Sequence, residues 1–550
     1  MIKNLPRLRH FMIAVALPTI AAALPGVAAA LSTMGAAALA HGQQDQQAEP
    51  AAPLFDNLGD YSRTLDTDSL MAQRYFDQGL QLGYGFGRAA AVASFRMAQR
   101  YDPDCAMCYW GEAWTLGPYQ NGRMSDEAGL EAYRAIQTAK EKSATSTDSE
   151  RALIEAMASR YAAQPKDADR RQLDETYVAA MRDVVRRFPN DLDASALFAE
   201  SLMVLYPWDL WLPDGSPRPE TTEATNVLES VLARNIRHVG ACHLFIHAVE
   251  ASPDPRRAEA CADLLAAQMP GASHIQHMPS HIYMRIGRYG DAVRSNQRAR
   301  IVDIEAEHGR GAAIYATHNL DMLAFAAWMD GQSAVAIRAA RDLAHDRPRD
   351  RLHHLQILVR FGRWEEIMEL DDPPTDDFTL GMWEFARGMA QLRRGHGDAA
   401  TSAAEHLVEL SEKLPDDARY QRYSRVDLLR VAGGILMGEI AAAARHYDEA
   451  LSKLRLAAAV EASFPYSEPE AWAIPVGHVL GAVLLEAGRP AEAQRVYEEE
   501  LEHHAENGWS LLGLEQSLRA QGDDEAAAAV HERFARAWAR ADLPLLGSRF

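Results

Sequence analysis

From Asp56 onward the order of apolar and polar positions reads as helix nearly everywhere, and the β-branched alternation that would mark strands is absent. Ala, Leu, Glu, Arg and Gln dominate, and these favour helix. Helical segments of roughly 12–16 residues are separated by short turns carrying Gly, Pro or Asp. Short helices joined by tight turns predict a series of helical hairpins rather than a bundle of long helices.

A recurring signature sets the period. A turn Gly is followed five positions later by a small or aliphatic residue: Gly287 with Ala292, Gly331 with Ala336, Gly362 with Ile367, Gly395 with Ala400, Gly488 with Ala493 and Gly522 with Ala527. Gly488 to Gly522 is a step of 34 residues, and Gly362 to Gly395 a step of 33. A period near 34 is that of the tetratricopeptide (TPR) helix-turn-helix unit, whose two helices approach closely and need a small residue there. The predicted fold is all-α, a TPR-like helical-hairpin solenoid wound as a right-handed superhelix. The wider gaps, 287 to 331 and 395 to 488, predict longer helices, insertions or degenerate repeats. The acidic, Pro-containing run Asp371 to Asp377 is the linker candidate. It divides an N-terminal TPR-like superhelix, residues 54–370, from C-terminal TPR repeats, residues 378–545. Tyr206 to Gly215 departs from the repeat; Trp208 and Trp211 read there as plugs on the end of a helix pair, with ligand contact as the alternative.

The first residues add a location. Lys3, Arg7 and Arg9 precede an almost wholly apolar stretch from Phe11 to Ala30, and Ala38-Leu39-Ala40 is followed by a polar run. This order predicts a secretory signal peptide over residues 1–40, cleaved after Ala40, then a flexible Gln/Ala/Pro linker over residues 41–53. An uncleaved membrane anchor is the alternative. The expected location is periplasmic or secreted, with no membrane attachment after cleavage. The net charge is −21; residues 1–40 hold three positive charges and no negative one, so the mature chain carries −24. That balance argues against nucleic acid as a partner, because its recognition needs basic patches. Four cysteines in so long an exported chain cannot build a disulfide framework. Cys105 with Cys108 reads as a local disulfide or as two small core residues, and a Cys242–Cys261 bridge across a hairpin turn stays open.

Histidines carry the candidate chemistry. His243 and His247 are four residues apart, and Glu250 lies three further on, so all three share one helix face. His277 and His281 repeat the spacing one unit later, and His318 with Asp321 follow in the next. His247 and His281 both fall six residues before their turns, near Pro253 and at Gly287; His243 and His277 fall ten before. Asp321 lies ten before Gly331. These are first helices of consecutive repeats, and first helices line the concave groove. The register therefore predicts that five histidines and two carboxylates converge there. The metal ligands expected are His243, His247, Glu250, His277, His281 and His318, a set suited to a divalent transition metal such as Zn, Fe, Mn or Cu. Pro279 either starts or kinks its helix, and in the first case His277 falls outside it. His353-His354 read as solvated or groove-lining, and Gly83 to Gly87 as an inter-helix turn rather than a phosphate loop.

Residues of about 75–345 also resemble a group of bacterial exported TPR proteins of mostly unassigned function. The resemblance rests on Ala89 to Ala98, Asp102 to Gly111 (DPDCAMCYWG), Gly117-Pro118, Pro207 to Trp211 (PWDLW), His243 to Ser252, His277 to Tyr289, and Tyr315 with His318-Asn319. The chain lacks the Asn-His expected beside Gly87-Arg88. The resemblance implies a TPR superhelix and no particular reaction. Two function classes follow. One is a scaffold binding a protein or peptide partner, or a small-molecule ligand, in its groove, with the His/carboxylate metal site as an addition. The alternative is a metal-dependent enzyme, an oxidoreductase or hydrolase, with its active site in that groove. A peptide groove favours Asn, Lys and Arg, whereas residues 240–325 offer His, Glu, Asp and Tyr.

Overall fold

Each repeat turn identified above brings two helices face to face. A computed structural model describes residues 52–550; the expected signal segment and the linker through residue 51 lie outside the described residues. Consecutive helices pack as hairpins, among them Leu70–Tyr84 on Arg88–Tyr101, Ala316–Met329 on Ser333–Asp346 and Asp377–Arg393 on Gly397–Lys413. Among the described residues, strand is limited to the two-residue pair Arg419–Tyr420 and Tyr423–Ser424. The fold is an all-α, TPR-like solenoid. No helix among the described residues is long and apolar enough to cross a membrane.

The turn signature has a direct physical basis. All six turn glycines have φ between +61° and +83°. In each case the next N–H donates to the carbonyl five residues back, as Arg288 N does to Tyr283 O (2.7 Å) and Arg489 N to Leu484 O (2.9 Å). This is the left-handed helix stop that glycine adopts without Cβ strain. The residue five positions after each glycine is buried, with 0% exposure at Ala292, Ala336, Ile367, Ala400, Ala493 and Ala527 alike. The wide 395–488 gap holds a further repeat whose turn uses Arg445 at φ +60° in place of glycine. His446 N donates to Ala441 O at 2.9 Å, and Ala450, five residues after Arg445, is fully buried. The 287–331 gap instead comes from a long second helix, Tyr289–Glu307, and the loop after it.

The described residues form one compact unit. Residues 371–376 run without helix, and the Asp376 side chain caps the Asp377–Arg393 helix by accepting from Thr379 N. The C-terminal repeats then return to the N-terminal ones. Asp542 accepts from Ser333 N (2.8 Å) and Ala334 N (2.9 Å), capping the Ser333–Asp346 helix from more than two hundred residues away, and Arg540 pairs with Asp330 at 2.6 Å. The segment between the Tyr447–Glu461 and Val476–Glu486 helices lies across the first helices; there Gln356 donates to Ala471 O (3.1 Å) and accepts from Ala473 N (2.6 Å).

Candidate metal centre

Three first helices carry the site, and each is buried nearly all round. Val239–Val249 has every residue buried, its two histidines included. The next first helix comes in two pieces, Ser273–His277 and Pro279–Arg285. Pro279 brings no N–H, yet Met278 keeps helical angles (φ −50°, ψ −37°), so the backbone is kinked rather than broken. His277 and His281 therefore stay on one side, with their Nε2 atoms 2.7 Å apart. The third helix, Ala316–Met329, supplies His318.

The structure brings His243, His247, Glu250, His277, His281 and His318 together and adds His274. Ring centroids lie 4.9 Å apart for His243–His247, 5.4 Å for His247–His281, 4.6 Å for His277–His281 and 4.7 Å for His277–His318. Several rings are fixed by their Nδ1 atoms. His243 Nδ1–H donates to Tyr84 O, and His277 Nδ1–H to Asn296 Oδ1 at 2.7 Å. The Asn296 amide is itself oriented by donating to Ala292 O (3.0 Å), so its oxygen faces the ring. His247 Nδ1–H donates to Glu250 Oε1 at 3.2 Å. Glu250 Oε2 sits 2.7 Å from His281 Nδ1, and Glu468 Oε2 touches the same nitrogen; both oxygens lie outside hydrogen-bond angles. That leaves His243 Nε2, His247 Nε2 and both nitrogens of His274 buried without a hydrogen-bond partner.

Electrostatics matches this layout. Burial, with neighbouring rings adding to it, holds His243, His274 and His277 well below the ordinary histidine value. Burial lowers His281 as well and takes His318 to about 4. These rings are neutral at pH 7, the form that binds metal. Burial acts to raise the Glu250 carboxyl, but His247 and His281 outweigh it and hold the group below its usual range. Burial, and then the charge on Glu250, push Glu468 well up. Two carboxyls pushed in opposite directions thus flank His281.

Asp321 corrects the register argument. It does not join the cluster; its Oδ1 pairs with His353 Nδ1 at 3.0 Å. Three residues beyond His318 leave it about 60° round the helix, turned toward the next first helix, Arg351–Arg360. His353 and His354 are both buried there. His274 was missed although it carries the same signal: it lies thirteen residues before Gly287, as His318 lies thirteen before Gly331. Glu468 comes from a non-helical segment with no repeat register, so no periodic signal could have placed it.

Aromatic residues close the cluster. Phe86 lies 4.3 Å from the His243 ring, Tyr315 4.9 Å from His274, and Trp208 6.0 Å from His247. All three have left-handed backbone, with φ of +61°, +56° and +61° respectively. Within Gly83 to Gly87, read above as an inter-helix turn, Gly83 and Tyr84 end the first helix and residues 85–87 make the turn, with Phe86 in the left-handed position. Trp211 serves the helix end as read from the sequence, its Nε1–H donating to Ala248 O at 2.8 Å. Trp208, Trp211, His247 and Glu250 also line a cavity of about 810 Å³ closed on its other side by Tyr466 and Trp472. Glu470, His503 and His504 line it too, but they pair among themselves, with His503 Nε2 and His504 Nε2 at 3.0 Å and 3.2 Å from Glu470 Oε1. Both cysteine pairs left open above are disulfides, Cys105–Cys108 and Cys242–Cys261.

No protein-family model matches the chain, and no curated protein matches it. Among solved structures the chain is similar to the human IFIT1 dimer with m7Gppp-AAAA, at 14% identity and a TM-score of 0.30 over 86% of this chain and 91% of that one. It is similar to the P58(IPK) TPR domain at 13% identity and a TM-score of 0.21, over 82% and 99% of the two chains. It is similar to yeast Tom70 at 12% identity and a TM-score of 0.27, over 84% and 89%.

Proposed function

We propose that this chain is an exported metalloprotein, in which a TPR-like scaffold holds a transition-metal centre on the histidines of its first helices. One observation carries the reading: imidazole nitrogens of His243, His247 and His274 are buried, unpaired and directed at one another's neighbourhood. An unpaired buried polar atom destabilises a fold by about 1–3 kcal/mol. Four in one cluster fit a site whose partner is an ion. Imidazole-rich ligation favours Zn, Cu or Fe over Mn, which prefers oxygen. The groove side of the centre is covered by the chain's own segment around Glu468, and the remaining space of about 810 Å³ has the size of a small-molecule site rather than a peptide groove. This supports a small organic ligand beside the metal, and with it the metal-dependent enzyme reading over a peptide scaffold. Two disulfides support an oxidising compartment and hence export.

Elemental analysis of the full chain, purified without a His-tag, tests the centre. The expected result is stoichiometric transition metal that His247→Ala with His281→Ala removes at unchanged helix content. Wild-type protein without metal after incubation with Zn²⁺, Cu²⁺ and Fe²⁺ in turn would sink the reading. Amino-terminal sequencing of protein from its native host tests export: His41 is expected as the first residue, and an intact Met1 in a membrane pellet refutes it.

A further inference from the structure

We infer that the centre holds two metal ions side by side, one on His243, His247 and His274 and the other on His277, His281 and His318, with Glu250 behind both. The inference rests on the metal reading above and goes beyond it in number and arrangement.

The ring contacts divide the six histidines without overlap. Within the first set, centroids lie 4.9 Å (243–247), 5.0 Å (243–274) and 6.1 Å (247–274) apart, a closed triangle. Within the second they lie 4.6 Å (277–281), 4.7 Å (277–318) and 5.8 Å (281–318) apart, another closed triangle. Two contacts join them, His247–His281 at 5.4 Å and His274–His277 at 5.5 Å. In each triangle one nitrogen from every ring lies within 4.8 Å of the other two. Metal–imidazole bonds of about 2.0–2.1 Å set the nitrogens of a tetrahedral site about 3.4 Å apart, so the rings reach an ion by side-chain adjustment, with the His277 and His281 Nε2 atoms, now 2.7 Å apart, parting slightly. Six rings spread over two triangles do not converge on one point, and a single four-coordinate ion would leave at least two of them unused.

The outer nitrogens support the same division. His243 Nδ1 is held by Tyr84 O and His277 Nδ1 by Asn296, so one ring of each triangle has its Nε2 committed to the interior. Glu250 reaches one ring of each triangle at Nδ1, His247 through Oε1 and His281 through Oε2. A carboxylate behind a ligating imidazole fixes its tautomer and raises its basicity. Here one carboxylate stands behind both triangles, hydrogen-bonded to His247 and 2.7 Å from His281 Nδ1. Three protein ligands per ion leave a position open on each, the arrangement of catalytic rather than structural sites. Ions in two-metal sites stand about 3.5–4 Å apart, close enough to share one oxygen ligand such as hydroxide. The repeat explains the pairing. Equal positions on successive first helices place one triangle beside the next.

The test uses the full chain, stripped with chelator and dialysed against Zn²⁺ alone, with zinc per chain read by elemental analysis. Two ions per wild-type chain are expected. His243→Ala with His274→Ala leaves one, and His277→Ala with His318→Ala leaves one. Glu250→Gln weakens both by about 10–100-fold, the usual effect of losing such a carboxylate. Helix content by circular dichroism is checked for each variant; where an alanine pair loses helix, the single changes His274→Gln and His318→Gln are read instead. One ion in the wild type, kept by both alanine pairs but lost in Glu250→Gln, would overturn the proposal in favour of a single site on His247, Glu250 and His281. One ion removed by either pair alike would also overturn it. No zinc, copper or iron in the wild type would instead defeat the metal reading beneath it.

Discussion

Replacing His274 by Leu separates function from stability at one side chain. The ring is fully buried, and neither nitrogen has a hydrogen-bond partner. Leucine is similar in size and has no polar atom to satisfy. Each unpaired buried polar atom removed returns about 1–3 kcal/mol. Against this stand the ring's contacts with Tyr315 at 4.9 Å and Phe86 at 5.8 Å, each worth about 0.5–1.5 kcal/mol. The balance is a gain of about 2 kcal/mol for His274→Leu in the metal-free protein. With metal at a hundred times Kd the wild type gains about 2.7 kcal/mol from binding, and the variant, short of one imidazole, gains less. The order of the two proteins therefore inverts between chelator and Zn²⁺. Thermal unfolding followed by circular dichroism reads this as a change in sign of the midpoint difference, which needs no two-state assumption for a solenoid. A variant that melts below the wild type in chelator would show that the ring nitrogens are paired in place, and the reasoning fails. Equal stabilisation of both proteins by Zn²⁺ would remove His274 from the ligand set.

Other expectations lie away from the centre. The Asp191 carboxyl, paired twice with Arg63 at 2.9 Å, stays at about 2 against an ordinary 3.8, because that pairing outweighs burial. The group's stabilisation, about 2 kcal/mol, is complete above 3.8 and is lost as pH falls through 2; Arg63→Gln should flatten acid unfolding over that window. Gly488→Ala, at φ +72° with open space around the added methyl, should cost about 1–2 kcal/mol in urea unfolding. Gly287→Ala should cost more, since its Cβ would stand 2.6 Å from Ala505 O. Breaking Cys242–Cys261 with Cys242→Ser and Cys261→Ser should lose about 3 kcal/mol and weaken metal uptake at His243, as titration with and without the bridge would show.

What the sequence revealed follows from what the backbone demands of it. A left-handed turn that requires glycine writes itself into the chain, and six such turns were legible; Gly309, which ends Tyr289–Glu307 in the same way, lay outside the repeat signature and was not. Where Arg445 adopts the same angles, the sequence is silent and the repeat goes unseen. Distance from the turn then fixed the height of each histidine along its helix. It could not fix direction for Asp321, because a residue between two neighbouring helices can turn to either, and His353 is the partner that takes it. Glu468 was beyond reach, since its position depends on an irregular segment folding back onto His281, 187 residues earlier. Trp208 showed the reverse case: its aromatic, turn-rich surroundings read as packing, and the structure places it both against His247 and on the cavity wall.

Three kinds of unfavourable feature coincide at this centre, and their coincidence is the strongest argument that it is functional. Left-handed backbone in a bulky residue disfavours folding by about 1–3 kcal/mol. The non-glycine residues with positive φ among those described are Phe86, Trp208, Tyr315, Gln421, Arg445 and Glu506. The three aromatic ones all touch rings of the cluster, while the others lie in ordinary turns. Unpaired imidazole nitrogens and a buried carboxyl pair occupy the same few ångströms. Single buried groups without a partner occur elsewhere too, as at Gln268 and Trp110, but away from the centre the turn glycines and the buried residues five positions on follow local rules. Selection for stability alone would have placed a glycine at 86 and an apolar side chain at 274. Retaining neither makes sense if Phe86 must shield the His243 and His247 rings from water and His274 must keep a nitrogen free. The Cys242–Cys261 bridge ties the helix that carries His243 and His247 to the next one, and Glu468 lies against His281.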